Sequence, residues 1–119
     1  AKALTKIFPM MDGKIGGSGI RVPVPDGSLT DITCYVKKEV TIEEINQAFK
    51  KASENELKGI LAYTEDPIVS VDIIGNRNSC LFDAQLTSVI DKMVKIVGWY
   101  DNEIGYSSRI IELIVLLKK

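Results

Sequence analysis

At 119 residues the chain is one domain at most, or part of one, which is still enough to bury a sizeable core. Its composition, 45% apolar and 26% charged, is that of a globular protein and excludes intrinsic disorder. Fifteen basic and sixteen acidic side chains leave a net charge of −1, so no domain-wide positive field is available to hold nucleic acid or an anionic membrane.

Ala1 to Phe8 reads as the end of a helix, with apolar Ala3, Leu4, Ile7 and Phe8 stopped by Pro9. No N-cap residue precedes Ala1, so this helix is expected to begin before the sequence does. Met11-Asp12-Gly13 is a turn, and Lys14 to Pro23 reads as a strand made permissive by Gly16, Gly17 and Gly19. Pro25-Asp26-Gly27 is a turn in which proline fixes φ and glycine takes a positive φ. Ser28 to Lys37 alternates, with Ile32, Cys34 and Val36 on the face expected to be buried. With the preceding strand it is expected to form a hairpin.

Thr41 and Glu44 form a capping box ahead of a helix that lines up Ile42, Ile45, Ala48, Phe49 and Ala52 and ends near Ser53 to Asn55. Gly59 to Thr64 is a short apolar strand broken by Glu65-Asp66-Pro67, and Ile68 to Ile74 is a further strand candidate. Gly75 to Asn78 is a loop, Ser79 to Ala84 a strand, and Lys92 to Tyr100 a β-rich run. The last helix starts around Asn102 to Tyr106 and closes on Lys118 and Lys119, which suit the negative end of its dipole. The order β-β-α-β-β-β-β-α argues for an α+β fold, a mixed, mostly antiparallel sheet with helices packed on one face. The last helix is apolar nearly all round from Ile110 to Leu117, which calls for contact with another subunit or a further segment.

The chemical inventory is narrow. The chain has no histidine, which removes the commonest general base, any Ser-His or Cys-His nucleophile pair and most zinc sites. Cys34 and Cys80 are too few for a disulfide framework and are expected as reduced, structurally buried thiols in a cytoplasmic protein. The stretch IIELIVLLKK is too short to span a bilayer and carries Glu112. Gly13 to Gly19 fits no phosphate-loop pattern, since no helix follows to offer its N-terminus. Arg21 in Ile20-Arg21-Val22-Pro23 needs a carboxylate, backbone carbonyls or an anion if it sits in an apolar strand. A structural ion pair and a phosphate contact both answer that need. Trp99 to Tyr106 is the densest polar-aromatic cluster. It reads either as ligand contacts at a strand end or as helix capping by Asp101 or Asn102 with aromatic packing.

The motif WYDNEIGYSSR, from Trp99 to Arg109, closely resembles the WYDNE-x-GYSNR signature of phosphorylating glyceraldehyde-3-phosphate dehydrogenases. AKALTKIFP resembles that family's AKAVGKV-P helix, and IRVPVPDGSLTDIT resembles its RVP-T-x-x-SVVDLT hairpin. LKGILAYTEDPIVSVD and SCLFDA resemble further segments in the same order, so the likeness runs through nearly the whole chain. Departures stand at Ser108, Val71 and Ile90-Asp91-Lys92, none at a matched site residue.

The resemblance implies residues 1–119 of a C-terminal catalytic-domain fragment, with the dinucleotide-binding domain upstream and absent. The intact enzyme oxidises glyceraldehyde 3-phosphate with NAD and inorganic phosphate through a cysteine thiohemiacetal. The family's nucleophile lies in a Ser-Cys-Thr-Thr-Asn segment and its base is a histidine, both expected upstream, so neither Cys34 nor Cys80 inherits a catalytic role. The matched positions are Arg21 for substrate or inorganic phosphate, Asn102 for the nicotinamide carboxamide, and Tyr100 and Tyr106 as aromatics lining that pocket. The chain alone is expected to be inactive, to bind NAD without tightness, to hold no metal and to form homo-oligomers through exposed edges. These motifs do not separate the family from the related erythrose-4-phosphate dehydrogenases. A non-enzymatic folding or assembly module is the alternative from another class.

Overall fold

A computed structural model describes residues 2–118; Ala1 and Lys119, to which the first and last helix had been extended, lie outside them. In chain order the elements are α1 (Lys2–Ile7), β1 (Ser28–Tyr35), α2 (Ile42–Glu54), β2 (Leu61–Thr64), β3 (Cys80–Asp83), β4 (Ser88–Ile90), β5 (Met93–Tyr100) and α3 (Asn102–Leu117). Short 3₁₀ turns occupy Pro9–Met11, Ser70–Ile73 and Ala84–Leu86.

β5 organises the sheet. Along one edge it pairs antiparallel with the whole of β1, from Ser28 opposite Tyr100 to Tyr35 opposite Met93. Its other edge is divided: β4 pairs near Met93 to Lys95, and β3 pairs at Gly98 and Trp99, both antiparallel. β2 then adds parallel to β3. One parallel ladder among antiparallel ones makes the sheet mixed, and the fold is α+β as its sequence pattern implies.

α2 forms where its local signals place it. Thr41 Oγ1 accepts from Glu44 N–H at 3.1 Å while Glu44 returns a carboxylate oxygen to Thr41 N–H at 2.8 Å, closing the capping box. Its inner side sets Ile45, Phe49 and Ala52 against Leu61, Phe82 and Ala84. Phe82 stacks on Phe49, with ring centroids 4.0 Å apart, and on Tyr63 at 5.9 Å. Asn46 fastens the helix further: it donates to the Ala84 carbonyl at 3.1 Å and accepts from the Thr87 hydroxyl at 2.7 Å.

The structure corrects several expectations. No strand forms over Lys14 to Pro23: residues 15–27 carry neither helix nor strand, and the hairpin with β1 does not exist. Three glycines in four positions raise the entropy cost of extension and supply no side chain to pack, whereas β5 offers β1 eight paired residues. Ile68 to Ile74 is not a strand either. Asp72 Oδ2 accepts from Val69 N–H at 2.8 Å and folds the segment into a 3₁₀ turn, a local bond that overrides the β-branched run. β4, three residues long, is too short to show a period. Cys34 is exposed rather than buried, as is Ile32, because the expected inner face of β1 is left uncovered. Cys80 is half-buried, its Sγ standing where a side chain on Gly98 would point, and burial pushes its thiol pKa up.

Candidate functional site

The Trp99–Tyr106 cluster lies at the junction of β5 and α3, and its residues divide into those that build the junction and those it presents. Trp99 is a builder. Its indole N–H donates to Asp83 Oδ2 at 3.0 Å, and buried Asp83 also accepts from Gln85 N–H at 3.1 Å. Tyr100 ends β5 opposite Ser28 and is half-buried.

Asp101 is the second builder, only 2% exposed. It caps α3, with Oδ1 accepting from Ile104 N–H at 3.0 Å, while Oδ2 accepts from Gly75 N–H at 2.9 Å. The backbone N–H of Ile104, and then that of Gly75, hold its carboxyl below the ordinary aspartate value of 3.8. A folded-state pKa below the unfolded one adds stability above the ordinary carboxylate range, and that stability is lost as pH falls through the lowered value. Asp101→Asn therefore lowers the melting temperature by an amount that is full at neutral pH and shrinks below about pH 3.8. Melting curves of both proteins from pH 7 to pH 2 check this; a gap that does not change with pH would contradict it.

What the junction presents is Asn102 and, one turn on, Tyr106, both exposed. The Asn102 amide has no hydrogen bond within the described residues, so its carbonyl and its NH₂ are both available to a ligand. Two further contacts seat the helix. Gly105 lets α3 approach the loop before β3: a Cβ there would stand 3.1 Å from the Asn78 carbonyl oxygen. Arg109 spans from α3 to the Gly59 carbonyl at 2.9 Å and pairs with Glu112 at 2.7 Å. Its buried Nε–H finds no acceptor among the described residues.

Arg21 stands apart. It lies exposed in the irregular 15–27 arm, and no ion pair or hydrogen bond engages it among the described residues. The strand that would have buried it does not form, so neither the structural ion pair nor the desolvation argument applies. The arm meets the body of the domain at its base, where Gly27 packs against the Ser70–Ile73 turn; within the arm, Gly27 N–H donates to Asp26 Oδ1 at 2.6 Å. There the carboxylate oxygens of Asp26, Asp101 and Glu103 lie within 4.8 Å of one another. Tyr100, Asn102 and Tyr106 thus share one junction, to which the structure brings the base of the arm, at Asp26 and Gly27, and not Arg21. None of the four lines either of two surface cavities among the described residues, one of about 350 Å³ beside Thr41 and Val89 and one of about 490 Å³ beside Lys50 and Tyr63.

Sequence reasoning left Arg109 and Asp83 without roles. Besides local partners, each holds one distant in the chain, Trp99 for Asp83 and Gly59 for Arg109, and no local pattern marks such contacts. Asp101 was legible as one of two possible caps, but not as a bridge to Gly75.

The described residues contain no helix long and apolar enough to cross a membrane. Residues 1–102 match the family described as "Glyceraldehyde 3-phosphate dehydrogenase, C-terminal domain". Over 118 residues the chain is 54% identical to "Glyceraldehyde-3-phosphate dehydrogenase 2" of Streptomyces avermitilis, covering 98% of this chain and 35% of that protein. It is 50% identical to "Glyceraldehyde-3-phosphate dehydrogenase" of Mycobacterium avium over 119 residues, 100% of this chain and 35% of the relative. The chain therefore spans about a third of the length of the curated relatives it matches.

Proposed function

Because the chain belongs to the glyceraldehyde 3-phosphate dehydrogenase C-terminal domain family, we propose that it works within a longer dehydrogenase, as the part that contacts phosphate and nicotinamide. The reaction is oxidation of glyceraldehyde 3-phosphate with NAD and inorganic phosphate, in glycolysis in the cytoplasm, by an enzyme that acts as a homo-oligomer. The carrying observation is the exposed, unbonded Asn102 amide at the first turn of a firmly capped helix.

That arrangement fits a nicotinamide. The Asn102 side chain can donate to and accept from a carboxamide at once, which selects one face of the ring, and Tyr100 and Tyr106 supply apolar surface beside it. Bound NAD supplies the hydride acceptor. Arg21 offers a permanently charged, planar fork that matches a phosphate group, held on an arm with no internal partner to compete. Neither contact supplies a nucleophile or a base.

The purified 119-residue chain therefore forms no NADH from glyceraldehyde 3-phosphate, NAD and phosphate, because it has no histidine and neither cysteine stands in a Ser-Cys-Thr-Thr-Asn segment. NADH absorbance that depends on the aldehyde and follows the pure chain would refute this. In the full-length enzyme, Arg21→Ala removes charge-assisted bonds worth about 1.5–3 kcal/mol, or roughly 10- to 150-fold in kcat/KM. Arg21→Lys does not restore it, since an ammonium lacks the fork. An unchanged phosphate dependence in Arg21→Ala would take Arg21 out of the site.

A further inference from the structure

We propose that Asp101 is a positioning residue for Asn102 and for the Arg21 arm, acting through the Ser70–Ile73 turn that lies between them. The proposal rests on the dehydrogenase reading, and three observations carry it.

One carboxylate does two different jobs. Oδ1 fixes the start of α3 at Ile104, and Oδ2 fixes the loop that leaves the Ser70–Ile73 turn at Gly75. Asn102 is the residue directly after this carboxylate, so the direction in which its amide leaves the helix depends on the cap. A helix cap alone needs only one oxygen and no burial, and an exposed serine would serve. A buried carboxylate bound on both oxygens instead fixes two segments against each other.

The same 3₁₀ turn meets the Arg21 arm on another side. Gly27 has φ +84°, and a Cβ on it would come within 2.5 Å of the Ser70 carbonyl oxygen and 2.8 Å of Ile73 Cγ2. Ile73 is itself 1% exposed, so the wall it forms cannot give way into solvent. The carboxylate of Asp26, next to Gly27, lies within 4.8 Å of those of Asp101 and Glu103, which puts the base of the arm beside the junction. The 3₁₀ turn is thus held by the residue before Asn102 and is itself the seat of the arm that carries Arg21. The start of α3 that carries Asn102 and the base of the arm that carries Arg21 both rest on this turn, so a shift of the turn weakens the binding contacts they offer.

The test uses the full-length dehydrogenase carrying Asp101→Ser, which keeps a cap for Ile104 but is too short to reach Gly75 as well. Kinetics are measured at a temperature where circular dichroism shows both proteins folded. The expected result is a rise of about tenfold or more in the KM values for NAD and for phosphate, with kcat reduced much less. A fall in kcat with both KM values unchanged is the behaviour of a merely structural residue and overturns the proposal. If the serine variant does not fold, Asp101→Asn, which keeps the shape and one acceptor, is read in the same way. Asn102→Ala is run in parallel. If it raises the KM for NAD while Asp101→Ser leaves it alone, the positioning role falls and the dehydrogenase reading stands. If Asn102→Ala changes nothing, the reading of Asn102 falls, and the proposal with it.

Discussion

Phe82→Ala destabilises the chain by about 3–5 kcal/mol, seen as a lower urea midpoint with an unchanged slope. Phe82 is 1% exposed and stacked against the rings of Phe49 and Tyr63. Removing its ring takes away both stacking partners at once and leaves a void between α2 and the sheet. The void cannot be filled from the neighbouring strand β5, where the residue paired with Phe82 is Gly98 and has no side chain. Nor can the backbone close over it, since β3 is held on both sides by β2 and β5. Domains are stable by about 5–15 kcal/mol in all, so this single loss takes a large share. Ile20→Ala, at a position 83% exposed, sets the baseline and should change stability by less than about 0.5 kcal/mol. Equal midpoints for the two variants would show that α2 is not held through Phe82.

Gly27→Ala has the next largest effect, about 3 kcal/mol or more. A left-handed φ of +84° costs an L-residue about 1–2 kcal/mol by itself. The larger part is steric, because the new methyl would overlap the Ser70 carbonyl, which is backbone and cannot rotate aside. The 3₁₀ turn must shift, and with it buried Ile73. The check is again chemical denaturation, with hydrogen exchange at Gly75 as the local readout: its N–H, bound to Asp101 in the native chain, should exchange faster in the variant. A variant of native stability with a protected Gly75 would mean that the arm does not rest on the turn.

These two sites show what a sequence conveys and what it withholds. α2 was legible because its signals are local: a capping box at Thr41 and Glu44, then an apolar stripe at helical spacing. β5 and α3 were legible for the same reason. The Lys14–Pro23 strand was misread because extension was inferred from composition, while a strand needs a partner and β1 took β5 instead. The Ile68–Ile74 segment has the right residues for a strand, and one hydrogen bond from Val69 to Asp72 outweighed them. Cys34 was assigned to a buried face because alternation gives the parity of a strand and not which face is covered. At the junction, Asn102 could be singled out by motif. Its support could not, since Asp101 reaches Gly75 across 26 positions and Arg109 reaches Gly59 across 50.

The division of β5 between its two neighbouring edges sets the order in which this chain can be made. β1 is made before β5, and among the described residues its ladder is with residues 93–100, on the far side of α2 and β2 to β4. Until residues 93–100 are released, β1 has bare backbone donors and acceptors along the edge that β5 will occupy. α2 and β2 to β4, which lie between, must be threaded past before the sheet closes. Pairings this distant in sequence close slowly, because loop entropy is spent before the contacts return it. β1 therefore stays an unpaired, aggregation-prone edge until β5 has been made.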